Sequence, residues 1–355
     1  MKRGWRTHAI GRHLVEVPVE ENIVEKYKYN KVMLELLPEI TEQASFDDSI
    51  YRKENELRST KNISRGQMFI ERVPRANDSV MLISWINPNS DYEYYKFDTY
   101  FRAGSKNLQY SGKVSLDRKT TALALHQELS LEWQEISSGR LAEGIGFVVE
   151  DAILVDKDFN LESWEMVIRL PSKPDVWFRL TAYTQRKVEP GLRARAGGIL
   201  PALLGTVVGV GQLRNRARPV GPIEADEILI AGTQDRKHTY GFKWEAPGKA
   251  YSLAEPNLNA SLRVGESAYR TNKDSFANDG EALELWDGGV VGVRPEAGCV
   301  DGMRGPRAAS RLDDGPACVG YTSDRYRARR LRSVSGTSTQ PASRASHDLI
   351  SESQC

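Results

Sequence analysis

The sequence has very little cysteine, and it has none before residue 299. All three cysteines, Cys299, Cys318 and Cys355, lie beyond that point. The first 298 residues therefore form neither a disulfide nor a cysteine-ligated metal site. The chain also has only five histidines, which are scattered and contain no His-Glu-x-x-His motif, and this argues against a histidine-based metal site. We predict no metal and no cofactor.

Segments that would enter a membrane or bind nucleic acid are also missing. The N-terminus, MKRGWRTHAIGRHL, is charged but lacks the apolar stretch of a signal peptide. The longest apolar run, Ile199–Val210, is shorter than the ~20 residues that span a bilayer. The formal net charge is only +1, whereas nucleic-acid binding usually needs a basic face. We predict no transmembrane segment and no nucleic-acid partner.

The familiar catalytic motifs are absent too. There is no Gly-x-Ser-x-Gly elbow of a serine lipase. His126 and Glu128 give the His-x-Glu of a zinc deaminase, but its Pro-Cys-x-x-Cys is missing, so His126 is interpreted as a helix residue at the edge of the core. Gly205–Gly211 lacks a glycine of the dinucleotide fingerprint and is interpreted as part of a buried helix over 199–213. We predict no catalytic residue.

Alternating apolar and polar residues predict that the first half of the chain is rich in strands. The predicted strands are His13–Val17, Lys31–Leu37, Phe69–Val73, Val80–Ile86, Tyr94–Arg102 and Leu108–Val114. A helix is predicted to follow, with Asp117 as its N-cap and Gly139 at its end.

The second half repeats this plan. Its predicted strands are Phe147–Val155, Trp164–Leu170, Val176–Thr184, Glu227–Ala231, Thr239–Trp244 and Leu258–Val264. A terminal helix is predicted to start at Asp279. We therefore predict an α+β fold of two modules, residues 1–140 and 145–298, each an antiparallel β-sheet with a long helix.

Residues 299–355 lose the apolar periodicity and are dominated by Arg, Ser, Ala and Gly. Such a segment cannot bury enough apolar surface to offset its ordering entropy, which predicts a disordered tail. Its lysine-free, arginine-rich composition is also typical of a GC-rich gene translated out of frame.

Three segments resemble one protein family. They are AIGRHLVEVP (Ala9–Pro18), FKWEAPGK (Phe242–Lys249) and FANDGEALELWD (Phe276–Asp287). They are similar to immunity proteins that neutralise lipase-type effectors, of the fourth class, in bacterial type VI secretion, and the resemblance covers most of residues 5–298. It implies a non-enzymatic inhibitor that binds a cognate phospholipase effector and blocks its active site or lid. It also implies a periplasmic location, or a cytoplasmic one if the chain truly starts at Met1.

The family signature has two interpretations. Its residues are Phe242, Trp244, Glu245, Pro247, Gly248, Lys249 and Trp286. In the structural interpretation, which we favour, Phe242 and Trp244 pack inward, Pro-Gly makes a turn, and Glu245 and the lysines face water. In the binding interpretation, the end of this hairpin is presented to the effector.

Five residues are candidates for a binding interface. They are Tyr92, Tyr94, Tyr95, Asp47 and Asp48. Tyrosine rings are typical of interface rims because they bury apolar area and keep a polar tip wet. Alternatively, the tyrosines face the core of the sheet. The two aspartates would meet a basic patch of the effector, or they belong to a solvated loop.

Two other classes of function remain open from the sequence. One is a non-catalytic envelope or ligand-binding protein of similar fold. The other is an enzyme with an unfamiliar carboxylate site, for which Glu150, Asp151 and Glu245 are the candidates.

Overall fold

The fold is described here from a computed structural model. It describes residues 5–19, 22–37, 43–89, 93–136, 146–155, 161–195, 208–234, 237–264, 275–290 and 293–295. The predicted tail over 299–355, and also Gly139 and Tyr92, lie outside the described residues.

The described part of the chain is rich in strands. In chain order they are β1 (Trp5–Ile10), β2 (His13–Pro18), β3 (Asn22–Tyr29), β4 (Val32–Leu36), β5 (Lys61–Asn62), β6 (Gly66–Gln67), β7 (Phe69–Pro74), β8 (Val80–Trp85), β9 (Tyr94–Ala103), β10 (Lys106–Ser115), β11 (Trp133–Glu135), β12 (Gly146–Val149), β13 (Ala152–Val155), β14 (Ser163–Leu170), β15 (Lys173–Tyr183), β16 (Val208–Ala217), β17 (Asp226–Gln234), β18 (Lys237–Ala246), β19 (Asn257–Val264) and β20 (Val293–Pro295). The α-helices described are α1 (Gln43–Ser59), α2 (Lys119–Glu132) and α3 (Asp279–Val290).

One antiparallel sheet of 12 strands runs through both halves of the chain. Its order is β16-β17-β18-β19-β15-β14-β3-β4-β10-β9-β8-β7. The halves are joined where β3 pairs with β14, from Asn22 opposite Arg169 to Lys28 opposite Ser163. Smaller sheets are β1-β2-β20, β11-β13-β12 and β5-β6. The predicted α+β class with antiparallel sheets is confirmed. Among the described residues, strands greatly outnumber helices.

The register of the large sheet defines a buried face, called here the helix face. Residues directly opposite each other on neighbouring strands share a face. One such row crosses eight strands and is buried throughout: Thr99, Tyr110, Leu34, Tyr27, Trp164, Ala182, Leu258 and Ala246. Helices α2 and α3 both pack here, since His126 contacts Tyr110 and Trp286 contacts Phe178.

The opposite side of the large sheet is called here the outer face. Helix α1 covers one end of it, because Phe46 and Ile50 pack with Leu82 and Tyr100. The sequence analysis did not predict this helix. Its apolar residues are separated by many charged ones, so the helical pattern is weak. From the sequence alone, the stretch around Asp47 is interpreted as an acidic interface or a solvated loop.

Helix α2 is shorter than predicted. It follows a 3₁₀ turn, Leu116–Arg118, so Asp117 lies inside that turn and Arg118 occupies the N-cap position. The expected capping role of Asp117 is therefore wrong. The helix ends at Glu132 because the buried Trp133 starts β11, which pairs with β13. A long helix in each module is not confirmed, since α2 has 14 residues and α3 has 12.

Two other predictions are corrected. The predicted strand Phe147–Val155 is a hairpin, in which β12 and β13 are joined at Glu150 and Asp151. Residues 208–213, predicted as helix, belong to β16, an irregular strand at the end of the large sheet. Its register shifts against β17, and Gly209 has a φ of +65°. Glycines are common at such irregularities in strands, so they do not indicate a softened helix here.

Candidate functional site

The aromatic residues of the family signature form the core of the C-terminal half. Phe242 and Trp244 point from β18 onto the helix face and are fully buried. The ring of Trp286, from α3, lies 5.7 Å from the ring centroids of both Phe178 and Phe242. These contacts fasten α3 to the sheet. They support the structural interpretation of these three signature residues.

An ionic cluster centred on the buried Glu227 lies beside this core. The carboxylate of Glu227, on β17, accepts hydrogen bonds from Arg216 Nε at 2.7 Å and Arg218 Nη1 at 2.6 Å. Trp286 Nε1 donates to the same carboxylate at 3.2 Å. Asp287 of α3 accepts from Arg214 at 2.7 Å. The cluster therefore links β16, β17 and α3.

The electrostatics keep this cluster charged. Burial alone would raise the pKa of Glu227, but hydrogen bonds from Arg218 and Arg216 outweigh it and hold that pKa below its usual value. The pKa of Asp287 is likewise lowered, because Arg214 and Arg218 outweigh the effect of burial. The sequence analysis missed this cluster. The available signal is the spacing of Arg214, Arg216 and Arg218 at alternate positions, two of them on β16 and the third directly after it, in a stretch to which the sequence assigns no strand.

Glu245 was expected to face water, and this expectation is wrong. It is almost fully buried and forms ion pairs with Arg195 and, at 3.2 Å, with Lys243 Nζ. The segment that carries Arg195 covers this part of the outer face, and Leu192 within it is fully buried.

The turn of the signature depends on its glycine. Gly248 has a φ of +63°, in the left-handed region that glycine tolerates best. A Cβ at this position would lie 2.3 Å from the carbonyl oxygen of Pro256. The neighbouring Pro247 accepts a hydrogen bond from Gln185, and the exposed Lys249 pairs with Glu255 at 2.6 Å. The turn is therefore packed against the start of β19.

The tyrosine candidates lie at the start of β9, on opposite faces of the sheet. Tyr95 stacks on Trp85, its cross-strand partner, with ring centroids 5.4 Å apart. Arg65 lies 4.2 Å from the Trp85 ring, and Lys119 lies 5.4 Å from the Tyr95 ring. We call these four residues the aromatic patch. Tyr94 instead contacts Lys113 on the outer face, at 4.2 Å.

Asp47 and Asp48 lie on the exposed side of α1. They belong to a helix and not to a loop. The same helix carries Phe46 and Ile50 toward the sheet, so its two aspartates face away from the core.

The three carboxylates that were candidates for an enzyme site lie on two different elements. Each of them makes contacts that stabilise the fold. Glu150 and Asp151 form the turn between β12 and β13, where the Glu150 amide donates to the hydroxyl of Tyr27 at 3.2 Å. Burial raises the pKa of Glu150, helped by the nearby Glu25. Glu245 lies on β18 in the ion pairs described above.

His126 is buried on α2, where its Nδ1 lies 2.6 Å from Thr99 Oγ1. Burial lowers the pKa of His126 to about 3. Within the described ranges, no group of three or more His, Cys, Asp or Glu residues is placed to hold a metal. The described helices include none that is both long and apolar enough to cross a bilayer.

Comparison with known families identifies the chain. Residues 143–297 match the model of the Tle cognate immunity protein 4 C-terminal domain. Residues 6–121 match the model of the N-terminal domain of the same family. The chain belongs to the Tle cognate immunity protein 4 family. All the signature residues fall within the C-terminal match, and the aromatic patch falls within the N-terminal match.

Solved structures of this family have the same fold. A chain of the Tle4–Tli4 complex is 30% identical, with a TM-score of 0.76, over 83% of this chain and 99% of that chain. The apo immunity protein TplEi of Pseudomonas aeruginosa is 30% identical, with a TM-score of 0.75, over 82% of this chain and 97% of that one. TplEi in complex with an "L" peptide is 29% identical, with a TM-score of 0.72, over 83% and 99%. No curated protein matches the chain.

Proposed function

We infer that this protein binds a cognate lipase effector of the type VI secretion system and inhibits it stoichiometrically, without enzymatic activity of its own. The observation that carries this conclusion is the match to both family domains together with the match to the Tle4–Tli4 complex over 99% of the matched chain. We propose that it acts in the periplasm, because the exported immunity proteins that it resembles act there.

Inhibition is proposed to occur by obstruction of the active site of the effector or by restraint of its lid. Nanomolar inhibition requires about 12 kcal/mol, which interfaces of roughly 1,600 Å² commonly supply. The predicted modules, residues 1–140 and 145–298, would grip the effector from two sides. Residues 299–355 are given no part in this mechanism.

The aromatic patch is the proposed contact of the N-terminal half. Its Trp85, Tyr95 and Arg65 belong to the residue types that dominate binding energies at interfaces. The rings are held in place by stacking and by two cations before any partner arrives. Such preorganisation reduces the entropic cost of binding. Tyr92, Tyr94, Asp47 and Asp48 remain further candidates.

The proposal is tested by forming the complex. A purified candidate lipase effector of type VI secretion, ideally the product of an adjacent gene, should co-elute with the full-length protein in size-exclusion chromatography at a fixed molar ratio. The double variant Trp85→Ala, Tyr95→Ala should weaken binding by about tenfold or more in calorimetry. Leu131→Ala is the control, because Leu131 is 56% exposed near the opposite end of α2 from Lys119. Equal affinities of the two variants would remove the aromatic patch from the interface.

A further inference from the structure

The outer face of the large sheet has an open stretch in its middle. Helix α1 covers this face at β8 and β9, and the segment around Leu192 covers it at β17 and β18. Between these two covers, side chains of β3, β14, β15 and β19 reach solvent. Val24 is 51% exposed and Trp177 is 36% exposed.

The register sets the layout of this stretch. Trp177, on β15, lies directly opposite Arg169 on β14 and opposite Arg263 on β19. In the adjacent row, Val24 lies opposite Val167, which lies opposite Arg179. We call these six residues the outer patch. A tryptophan flanked by two arginines thus borders a short apolar strip.

The scaffold beneath the outer patch is rigid. β14 and β15 are central strands, each paired on both sides, so their backbone groups are already hydrogen-bonded. The buried residues that alternate with the patch, such as Phe178 and Leu262, pack under Trp286. A partner can therefore be recognised only through side chains, which the strands hold in fixed positions.

The outer patch and its surroundings are basic. On this face the stretch carries the cations Lys26, Lys28, Arg169, Arg179 and Arg263. Its carboxylates are Glu165, which pairs with Arg179 at 2.6 Å, and Asp175, and the exposed Glu35 lies on the same face of the neighbouring strand β4. Arg169 and Arg263 have no ion-pair partner among the residues that the structure describes. Both side chains are exposed, so a partner can reach their charge.

We propose that the outer patch is a second docking surface, which binds an acidic and largely flat surface of the lipase effector. The proposal rests on the proposed function and deepens it, by giving the C-terminal half a contact of its own. Exposed tryptophan and arginine side by side are the combination that most often carries binding energy, whereas a single exposed apolar residue would need no explanation. The surplus positive charge specifies an acidic partner surface.

The test uses full-length protein, the same purified candidate lipase effector, and calorimetry at low salt and at roughly tenfold higher salt. The variant Arg169→Glu, Arg263→Glu should raise the dissociation constant by about tenfold or more, and it should reduce the salt dependence of binding. Trp177→Ala should weaken binding at both salt concentrations. The control is Arg6→Glu, Lys187→Glu, which makes the same change in net charge at exposed positions outside the patch.

Each outcome decides between the proposals. If the wild-type protein binds and the two charge-reversed variants bind with equal affinity, the outer patch is not a docking surface. If the wild-type protein does not bind the effector at all, the proposed function is wrong, and the inference of a docking surface, which rests on it, is wrong as well. If Arg169→Glu, Arg263→Glu instead converts a dimer of this chain to a monomer without changing effector affinity, the patch joins copies of the chain. Unchanged thermal unfolding of every variant establishes that the comparison is made between folded proteins.

Discussion

The cores under α2 and α3 bury polar groups in opposite ways. Under α2, His126 is buried among Phe97 and Tyr110 and is kept neutral, with its Nδ1 next to Thr99. Under α3, Glu227 is buried and is kept charged by arginines. A buried polar group must be either neutralised or paired, and the cores under α2 and α3 show one solution each. The core under α2 should therefore be sensitive to protons, and the core under α3 to the loss of a charge.

The largest expected effect is on the ionic cluster. Glu227→Gln removes the buried carboxylate that Arg216 and Arg218 share, while Arg218 keeps its ion pair with Asp287 at 3.0 Å. Breaking a buried ion pair typically costs about 3–5 kcal/mol of unfolding free energy, and the remaining pair and the 56% exposure of Arg216 place this loss near the lower end of that range. Glu165→Gln breaks an exposed pair with Arg179 and should cost less than about 1 kcal/mol. Urea unfolding of both variants measures the difference. Similar losses in the two variants would show that the cluster under α3 is not a special feature of the C-terminal half.

A smaller effect is expected at the turn of the signature. Gly248→Ala places a side chain in the left-handed region and against the Pro256 carbonyl oxygen, so it should destabilise the protein by about 2–3 kcal/mol. The matched control is Gly209→Ala, which has a similar φ of +65° but no atom within 4 Å of its added Cβ. It should cost only about 1 kcal/mol. If thermal unfolding gives both variants the same loss, the close packing of this turn contributes nothing.

The smallest effect of a substitution is expected in the pH dependence of stability. Burial lowers the pKa of His126 to about 3 and, with a contribution from Arg12, that of His13 to about 4. The unfolded chain therefore binds more protons than the folded one below pH ~6.5. Stability is complete above that pH and is lost as the pH falls toward the folded pKa values, by up to about 1.4 kcal/mol per pH unit for each histidine.

His126→Gln removes one of these two contributions. Its unfolding free energy should fall with pH about half as steeply as that of the wild type between pH ~6 and ~5. The pKa of Glu227 lies below its usual value, so the ionic cluster adds no such loss until the pH drops further. Parallel pH curves for the variant and the wild type would contradict the assignment of proton sensitivity to the core under α2.

The sequence predicted the strands where one face is clearly buried. Alternation identified β9, β14 and β15, and it placed Phe242 and Trp244 in the core, whereas β8 was indicated by the turn composition between Val73 and Val80. It failed at α1, where apolar residues such as Phe46 and Ile50 are diluted by charges. It failed at Trp133 as well, because the apolar spacing continues past the end of α2 while strand pairing takes over.

Contacts between residues far apart in the chain could not be predicted from local sequence patterns. The pairing of β3 with β14 joins residues more than a hundred positions apart, and no local pattern encodes it. For the same reason, neither the ionic cluster around Glu227 nor the position of Trp177 between Arg169 and Arg263 was predicted. Both depend on which strands become neighbours.

The most direct test of the central claim is an activity titration. The phospholipase activity of the candidate effector is measured while full-length protein is added in small steps. A stoichiometric inhibitor predicts a linear fall to the baseline with a sharp break at a fixed molar ratio. Activity that stays undiminished with the protein in excess would contradict the assignment of this chain as the inhibitor of that effector.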